Sequence, residues 1–334
     1  MTPRVALPTL AEADLQGPQH PQRAPDLEAN PAALGLQRGE EAEILSLAEI
    51  RATLDHQGAL DGLPFMPEME RHAGKRVQVY RRADRLCVEG APTLRRLRDT
   101  VFLGDLRCDG SAHGGCQRSC LMLWKEAWLR RSSRARASPA PAPVPRDAPT
   151  ASGPAENVRE GSHYSCQSTA LFAASTPMSA WRPDQYVRDL VTGNLTPFEL
   201  AHAFFATAKH RADMRVTRTV RRARPKKTPR EQLGLQPGEW VQIKSAEEIN
   251  ATLDPAQKNR GLEFSPGMSA YCGGLYRVGQ RIERMIDEGT GIMRTLTDTV
   301  MLENLHCDGL CTRGCPRATP LYWREIWLRR APAP

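Results

Sequence analysis

The sequence predicts an α+β fold made of two homologous small curved-sheet modules. Three observations carry that expectation: an internal repeat, period-2 alternation inside each copy, and a short capped helix ahead of the alternating stretches. The repeat has no gap. Shifting the 334-residue chain by 199 places Leu34 on Leu233 and Arg131 on Arg330, and 44 of the 98 overlaid positions are identical. LGLQRGE overlies LGLQPGE, DGLPFMPEM overlies RGLEFSPGM, and LWKEAWLRR overlies YWREIWLRR. A unit of that length is an ordinary size for a small domain.

The elements follow in order within each copy. GEWVQIKS alternates apolar and polar residues and reads as a strand. SAEEINATLD comes next, with Ser245 as N-cap and Glu248 at the capping-box position; Ser46 and Glu49 hold the same places in the first copy. Beyond a Gly turn, KRVQVYRRADRLC and LYRVGQRIERMI alternate. TLRRLRDTVFL and IMRTLTDTVML follow an EG turn, so a β-meander is expected. A short helix and four or five strands in so few residues fit a strongly curved sheet, by analogy an SH3-like barrel. Trp124-x3-Trp128 and Trp323-x3-Trp327 close the copies. On a helix or a strand each pair shares one face, either as core or as a stacking platform for a base or peptide.

The remaining segments take their boundaries from the repeat. Residues 1–33 are rich in Pro, Ala and Gln without periodicity and are expected to be disordered. Module 1 spans 34–131. Residues 132–156 form a Pro/Ala linker, extended and stiff. Residues 157–212 form a partly helical connector, in which TPFELAHAFFATAKH has Thr196 as N-cap, Pro197 at the first helical position and Glu199 closing a capping box. Residues 213–232 form a basic tether containing Arg221, Arg222, Arg224, Lys226 and Lys227, and module 2 spans 233–330.

Eight of the nine cysteines lie in the modules, four in each: Cys87, Cys108, Cys116 and Cys120, then Cys272, Cys307, Cys311 and Cys315. Only Cys108 with Cys307 and Cys116 with Cys315 coincide under the shift. A number held at four while two positions move suits a tetrahedral metal, which needs four ligands and tolerates different routes to them. Cys-Asp-Gly and Gly-Cys recur in both copies, and such turns aim backbone N–H groups at a thiolate. Zinc is expected, about one per module; an iron–sulfur cluster is the alternative, and thiols without metal are a third reading. His113 and His306 are possible extra ligands, or else residues that only support the ligands or lie at the surface.

RCDGSAHGGCQRSCLMLWKEAWLRR, DGLPFMPEM and YCGGLYRVGQRIERMIDEGTGIM resemble an uncharacterised bacterial family of two-module cysteine-containing proteins. The resemblance covers both modules and the 164–195 stretch. It implies a bacterial source and a recurring two-module layout, and brings with it no activity, substrate or metal.

Composition narrows the function classes. Lys+Arg 46 against Asp+Glu 38 gives +8, and no apolar run is long enough to span a membrane. The first residues carry acids and no apolar stretch, which argues against a secretory signal and for a reducing, cytoplasmic compartment. H-E-x-x-H, G-x-S-x-G, P-loop and dinucleotide fingerprints are all missing. Cys166 with His163 nearby could be a nucleophile, but no third group is evident, and a buried thiol is the simpler reading. The leading expectation is a non-catalytic, zinc-stabilised interaction or accessory protein with a protein partner. A metalloenzyme or iron–sulfur redox protein using module 1 is the rival. Nucleic-acid binding through the basic linkers is a further alternative.

Overall fold

A computed structural model describes residues 33–89, 91, 93–132, 158–159, 163–179, 182–220, 228–309 and 312–334. The first strand of each half, Glu41–Ile44 or Trp240–Ile243, lies inside a five-stranded antiparallel sheet. In the first half the order is Leu121–Lys125, Thr100–Arg107, Arg76–Arg82, Glu41–Ile44, Leu129–Arg131. The second half repeats it with Pro320–Arg324, Thr299–His306, Leu275–Arg281, Trp240–Ile243 and Leu328–Arg330. A single 3-10 turn, Glu126–Trp128 or Glu325–Trp327, sends the last strand back to pair with the first. Register shifts between Val79 and Arg81, and between Val278 and Gln280, bend the second strand of the meander. Extra residues in one strand increase local twist, and each sheet curls into a half-barrel.

Local signals in the sequence are met where they were strongest. Ser46 and Glu49 close a capping box on Leu47–Arg51, and Ser245 and Glu248 do so on Ala246–Asn250. Thr196 and Glu199 cap the helix Pro197–Val220 in the same way. That helix runs on through 213–220, which the composition assigns to the tether. Arg221, Arg222, Arg224, Lys226 and Lys227 lie outside the described residues, as does the Pro/Ala linker after Ser132 and the segment before Ala33.

The tryptophans are core, which corrects the stacking-platform reading. Trp124, Trp128, Trp323 and Trp327 are each 0 % exposed. The chain brings each pair inward by different means: the first Trp ends a strand and the second sits in the 3-10 turn. Phe65 packs edge-on against both Trp124 and Trp128, and Phe264 repeats this on Trp323 and Trp327. The indole N–H of Trp128 donates to Thr53 Oγ1 at 3.1 Å, and that of Trp327 to Thr252 Oγ1 at 3.0 Å.

The recurrent Trp-Lys/Arg-Glu stretch also buries a carboxylate. Glu126 accepts the backbone N–H groups of Gly35 and Leu36, both at 2.9 Å, and the Arg82 guanidinium. Glu325 accepts from Leu233, Gly234 and Leu235 and from Arg281. The repeated LGLQ thus starts each module by pinning the entering chain on a buried glutamate side chain that also meets an arginine; charge-assisted bonds are the strong ones.

The halves pack together within the unit Leu34–Pro334. Arg118 Nη1 donates to Ile286 O at 3.2 Å, and its counterpart Arg317 donates to Cys87 O at 2.9 Å. Ile286 N donates to Cys116 Sγ at 3.4 Å, and its counterpart Cys87 N donates to Cys315 Sγ at 3.3 Å. Contacts repeated reciprocally by equivalent residues are those of an isologous two-fold interface, here formed inside one chain. Near its centre the buried Glu288 accepts from Arg118, Arg317, Ser168 Oγ and the N–H of Glu89.

The connector is part of this assembly. Thr176–Met178 pairs antiparallel with Leu94–Arg96 in a separate two-stranded sheet. Tyr164 N donates to Gly291 O, and Asp189 pairs with Arg85 at 2.6 Å. Among the described residues no helix is long and apolar enough to cross a membrane.

Candidate metal centre

The loop between Cys108 and Cys116 is built by glycine. Gly110 has φ +74°, and Gly115 N and His113 N both donate to Gly110 O. A Cβ on Gly110 would stand 2.0 Å from Cys116 O, and one on its counterpart Gly309 would stand 2.2 Å from Cys315 O. Only glycine fits where the loop closes so tightly on its own backbone. Gly110→Ala should therefore cost about 2–3 kcal/mol or more, strain plus clash. Chemical denaturation against wild type checks this; a loss below 1 kcal/mol would show that the loop is soft.

That fold carries His113 inward. His113 is 1 % exposed and Glu68 is 3 % exposed. The imidazole Nδ1 and Glu68 Oε1 are 2.7 Å apart, and Cys108 Sγ donates weakly to the same oxygen at 3.7 Å. Ala112 N also donates to it, at 3.0 Å. Ligand atoms of Glu68, Cys108 and His113 all lie within 4.8 Å of one another, a group that could hold a metal ion. His113 Nε2 and Glu68 Oε2 are buried without a protein partner. Buried polar atoms are nearly always satisfied, and here both members of one pair keep an unpartnered atom.

The surroundings suit a cation bound by soft donors. His113, Cys108, Cys116 and Cys120 line one cavity of about 40 Å³, joined by Cys166 from the connector. Backbone N–H groups support three of these sulfurs: Gly110 at Cys108, Arg118 and Ile286 at Cys116, and Ser168 and Thr169 at Cys166. Burial, with Glu68's charge, pushes the Cys108 thiol far up, against the pull of Gly110 N–H. Burial pushes Cys166 up to about 11. Such thiols stay protonated until a cation displaces the proton, so they are poor free nucleophiles. Burial also works to raise the Glu68 carboxyl, but the hydrogen bond and charge of His113 override it and the net shift is downward. The guanidiniums of Arg118 and Arg317 face the same cavity, where they would offset thiolate charge.

The arrangement redistributes the cysteines. Cys108, Cys116 and Cys120 line one cavity, but of the three only Cys108 is among the residues whose ligand atoms cluster within 4.8 Å, and Cys87 does not join them; its Sγ lies 3.3 Å from Cys315 Sγ in the other half. Cys272 caps the 3-10 turn Pro266–Tyr271 and packs at the second core, where it joins no ligand cluster among the described residues. Cys307 N donates to Thr319 O, as Cys108 N does to Cys120 O. Cys311 lies outside the described residues. His306 ends the strand Thr299–His306, where burial and then Arg107 lower its pKa, and it too joins no cluster.

Glu68 and Cys166 escape a reading based on cysteine counting, whereas His113 is among the possible ligands read from the sequence. Glu68 and His113 face Gly267 and Thr312 in the repeat, so both differences fall in the same copy. That coincidence was the available signal. Cys166 lies outside the repeat and reaches the cavity only because the helix Gln167–Ala174 packs on module 1.

No family model matches the chain, and comparison with curated proteins and with solved structures finds no match.

Proposed function

We propose that the chain is a non-catalytic accessory protein in which a zinc ion staples the first half and the connector together. One observation carries this reading: a buried imidazole, oriented by a carboxylate through Nδ1, leaves Nε2 unpartnered in a cavity lined by four thiols. Carboxylate–histidine pairs of this kind fix the tautomer that binds metal. His113 and Cys108 stand with Glu68 in one group of ligand atoms, and Cys166 from the connector with one of Cys116 and Cys120, drawn in from the cavity wall, would complete a tetrahedral site of the closed type that stabilises rather than catalyses. Mixed nitrogen and sulfur donors favour zinc.

The strand order, with a 3-10 turn before the last strand, supports reading each half as an SH3-like barrel. A partner surface is supported by the connector helices Asp184–Val191 and Pro197–Val220. Val191 is 69 % exposed, Phe198 80 % and Phe205 70 %, and exposed apolar groups of that size commonly mark protein contacts. The thiol-rich interior supports a reducing compartment such as the cytoplasm.

Elemental analysis of the purified full chain tests the metal. The expected protein is colourless, carries zinc, and loses about one equivalent in Cys108→Ser and in His113→Ala. A brown protein with iron and acid-labile sulfide would favour the cluster alternative. Zinc content unchanged in both variants would remove this reading.

A further inference from the structure

We propose that Cys87 and Cys315 form a reversible disulfide that locks the two halves of the chain together when peroxide oxidises them. Neither sulfur lines the first cavity, and the pair is independent of the zinc reading above.

The two sulfurs are already in contact. Cys87 Sγ and Cys315 Sγ lie 3.3 Å apart although 228 residues separate them, one in each half. Cys87 N also donates to Cys315 Sγ at 3.3 Å. Both backbones are anchored. Cys87 follows the bridge between Leu86 and Arg95, and its carbonyl accepts from Arg317 Nη1 at 2.9 Å. Cys315 N donates to Gly309 O, where the loop closes on itself as the first loop does at Gly110. To reach the bond length of about 2.05 Å the sulfurs need to approach by about 1.2 Å.

The repeat supplies a comparison. At the counterpart junction Ile286 N donates to Cys116 Sγ at 3.4 Å, the same backbone contact made by equivalent residues. Ile286 brings no sulfur, so only the Cys87 side offers a thiol from each half.

The surroundings prepare the pair for oxidation. A hydrogen bond from the Cys87 thiol, with the backbone N–H groups of Cys87 and Arg317 and the Arg317 guanidinium, holds Cys315 below the usual thiol value against the effect of burial. Thiolates, not thiols, are the reactive form. Cys87 is only half-buried whereas Cys315 is 3 % exposed, so a small oxidant such as hydrogen peroxide meets the pair from the Cys87 side. One sulfur attacks a peroxide oxygen and the O–O bond breaks, leaving a sulfenic acid and one water. The other sulfur attacks the sulfenic sulfur, the S–O bond breaks, and the hydroxyl leaves with the remaining thiol proton as a second water. The two sulfurs give up two electrons and peroxide takes them. A dithiol reverses the bond by exchange. Disulfides in reducing compartments are typically transient ones of this redox-sensing kind.

The test uses the reduced full chain, treated with about one equivalent of hydrogen peroxide, alkylated and mapped without reductant. Tryptic peptides 86–95 and 314–317 should be recovered joined, and the chain should lose two of its nine thiols while remaining a monomer on a non-reducing gel. Dithiothreitol should restore both thiols. Because the bond closes a span of 228 residues, oxidised protein should melt about 5–10 °C above reduced protein, and Cys87→Ser should show no such rise. Recovery of the two peptides only singly, a bond from Cys87 to another cysteine or another chain, or a full rise retained in Cys87→Ser would overturn the proposal. Mapping of the wild type decides it without relying on how the variant folds. Zinc content measured on the same samples keeps the two readings apart: zinc present without the cross-link removes the disulfide alone, and the cross-link in a protein that holds no zinc removes the metal reading alone.

Discussion

Glu288→Ala is expected to destabilise the chain by about 3–5 kcal/mol, because it strands two buried guanidiniums at once. Glu288 Oε2 accepts from Arg317 at 2.6 Å and from Arg118 at 3.1 Å, and the Glu288 side chain is 1 % exposed. Its counterpart in the repeat, Glu89, also meets Arg118, but its side chain is 56 % exposed. Glu89→Ala should therefore cost less than about 1 kcal/mol, the range of a surface pair. Urea denaturation of both variants makes the comparison, and losses of equal size would sink it. Acid provides a second measurement. Burial raises the Glu288 carboxyl, but Arg317 and Arg118 overcome it and hold the pKa down at about 2. A depressed folded-state value contributes stability that is complete above the unfolded value of 4.5 and is lost as pH falls toward 2. The amount is about 3 kcal/mol, and Glu288→Gln should abolish that part of the acid dependence.

Trp128→Ala is expected to cost about 3–5 kcal/mol, and Trp327→Ala a similar amount, since each empties a large volume that close-packed neighbours cannot refill. Phe65 at 5.3 Å and Phe264 at 5.5 Å would each lose an edge-on partner. Trp128→Phe keeps most of the volume but drops the bond to Thr53, for roughly 1 kcal/mol beyond the packing change. Thermal or urea unfolding ranks the series. Stability unchanged in Trp128→Ala would mean that the indole is not core.

Much of each half could be read from local order. The capping residues Ser46 with Glu49, and Ser245 with Glu248, act within one turn, so neighbours in sequence suffice to recognise them. Alternation along GEWVQIKS likewise reports a strand with one buried face. The Trp pair was harder to read. Its spacing allowed a helix or a strand, and the chain uses a strand end plus a 3-10 turn, a junction that neither period describes. The thiols were legible as a group, because counts and glycine turns survive in sequence. Their partners were not, because a fourth ligand can come from any distance along the chain. Cys87 was expected beside Cys108 and lies against Cys315.

The sequence alone determined the duplication, the alternating strands and the glycines that shape both cysteine loops, since each depends on residues that repeat or adjoin. Tertiary structure alone decided that Glu288 faces Arg118 and Arg317, that Cys166 from the connector reaches the first cavity, and that Cys87 crosses to the second half. These contacts arise at a junction between two folded surfaces, where side chains meet by shape and charge over separations of tens to hundreds of residues. Periodicity and capping act over a few residues and carry no information at that range.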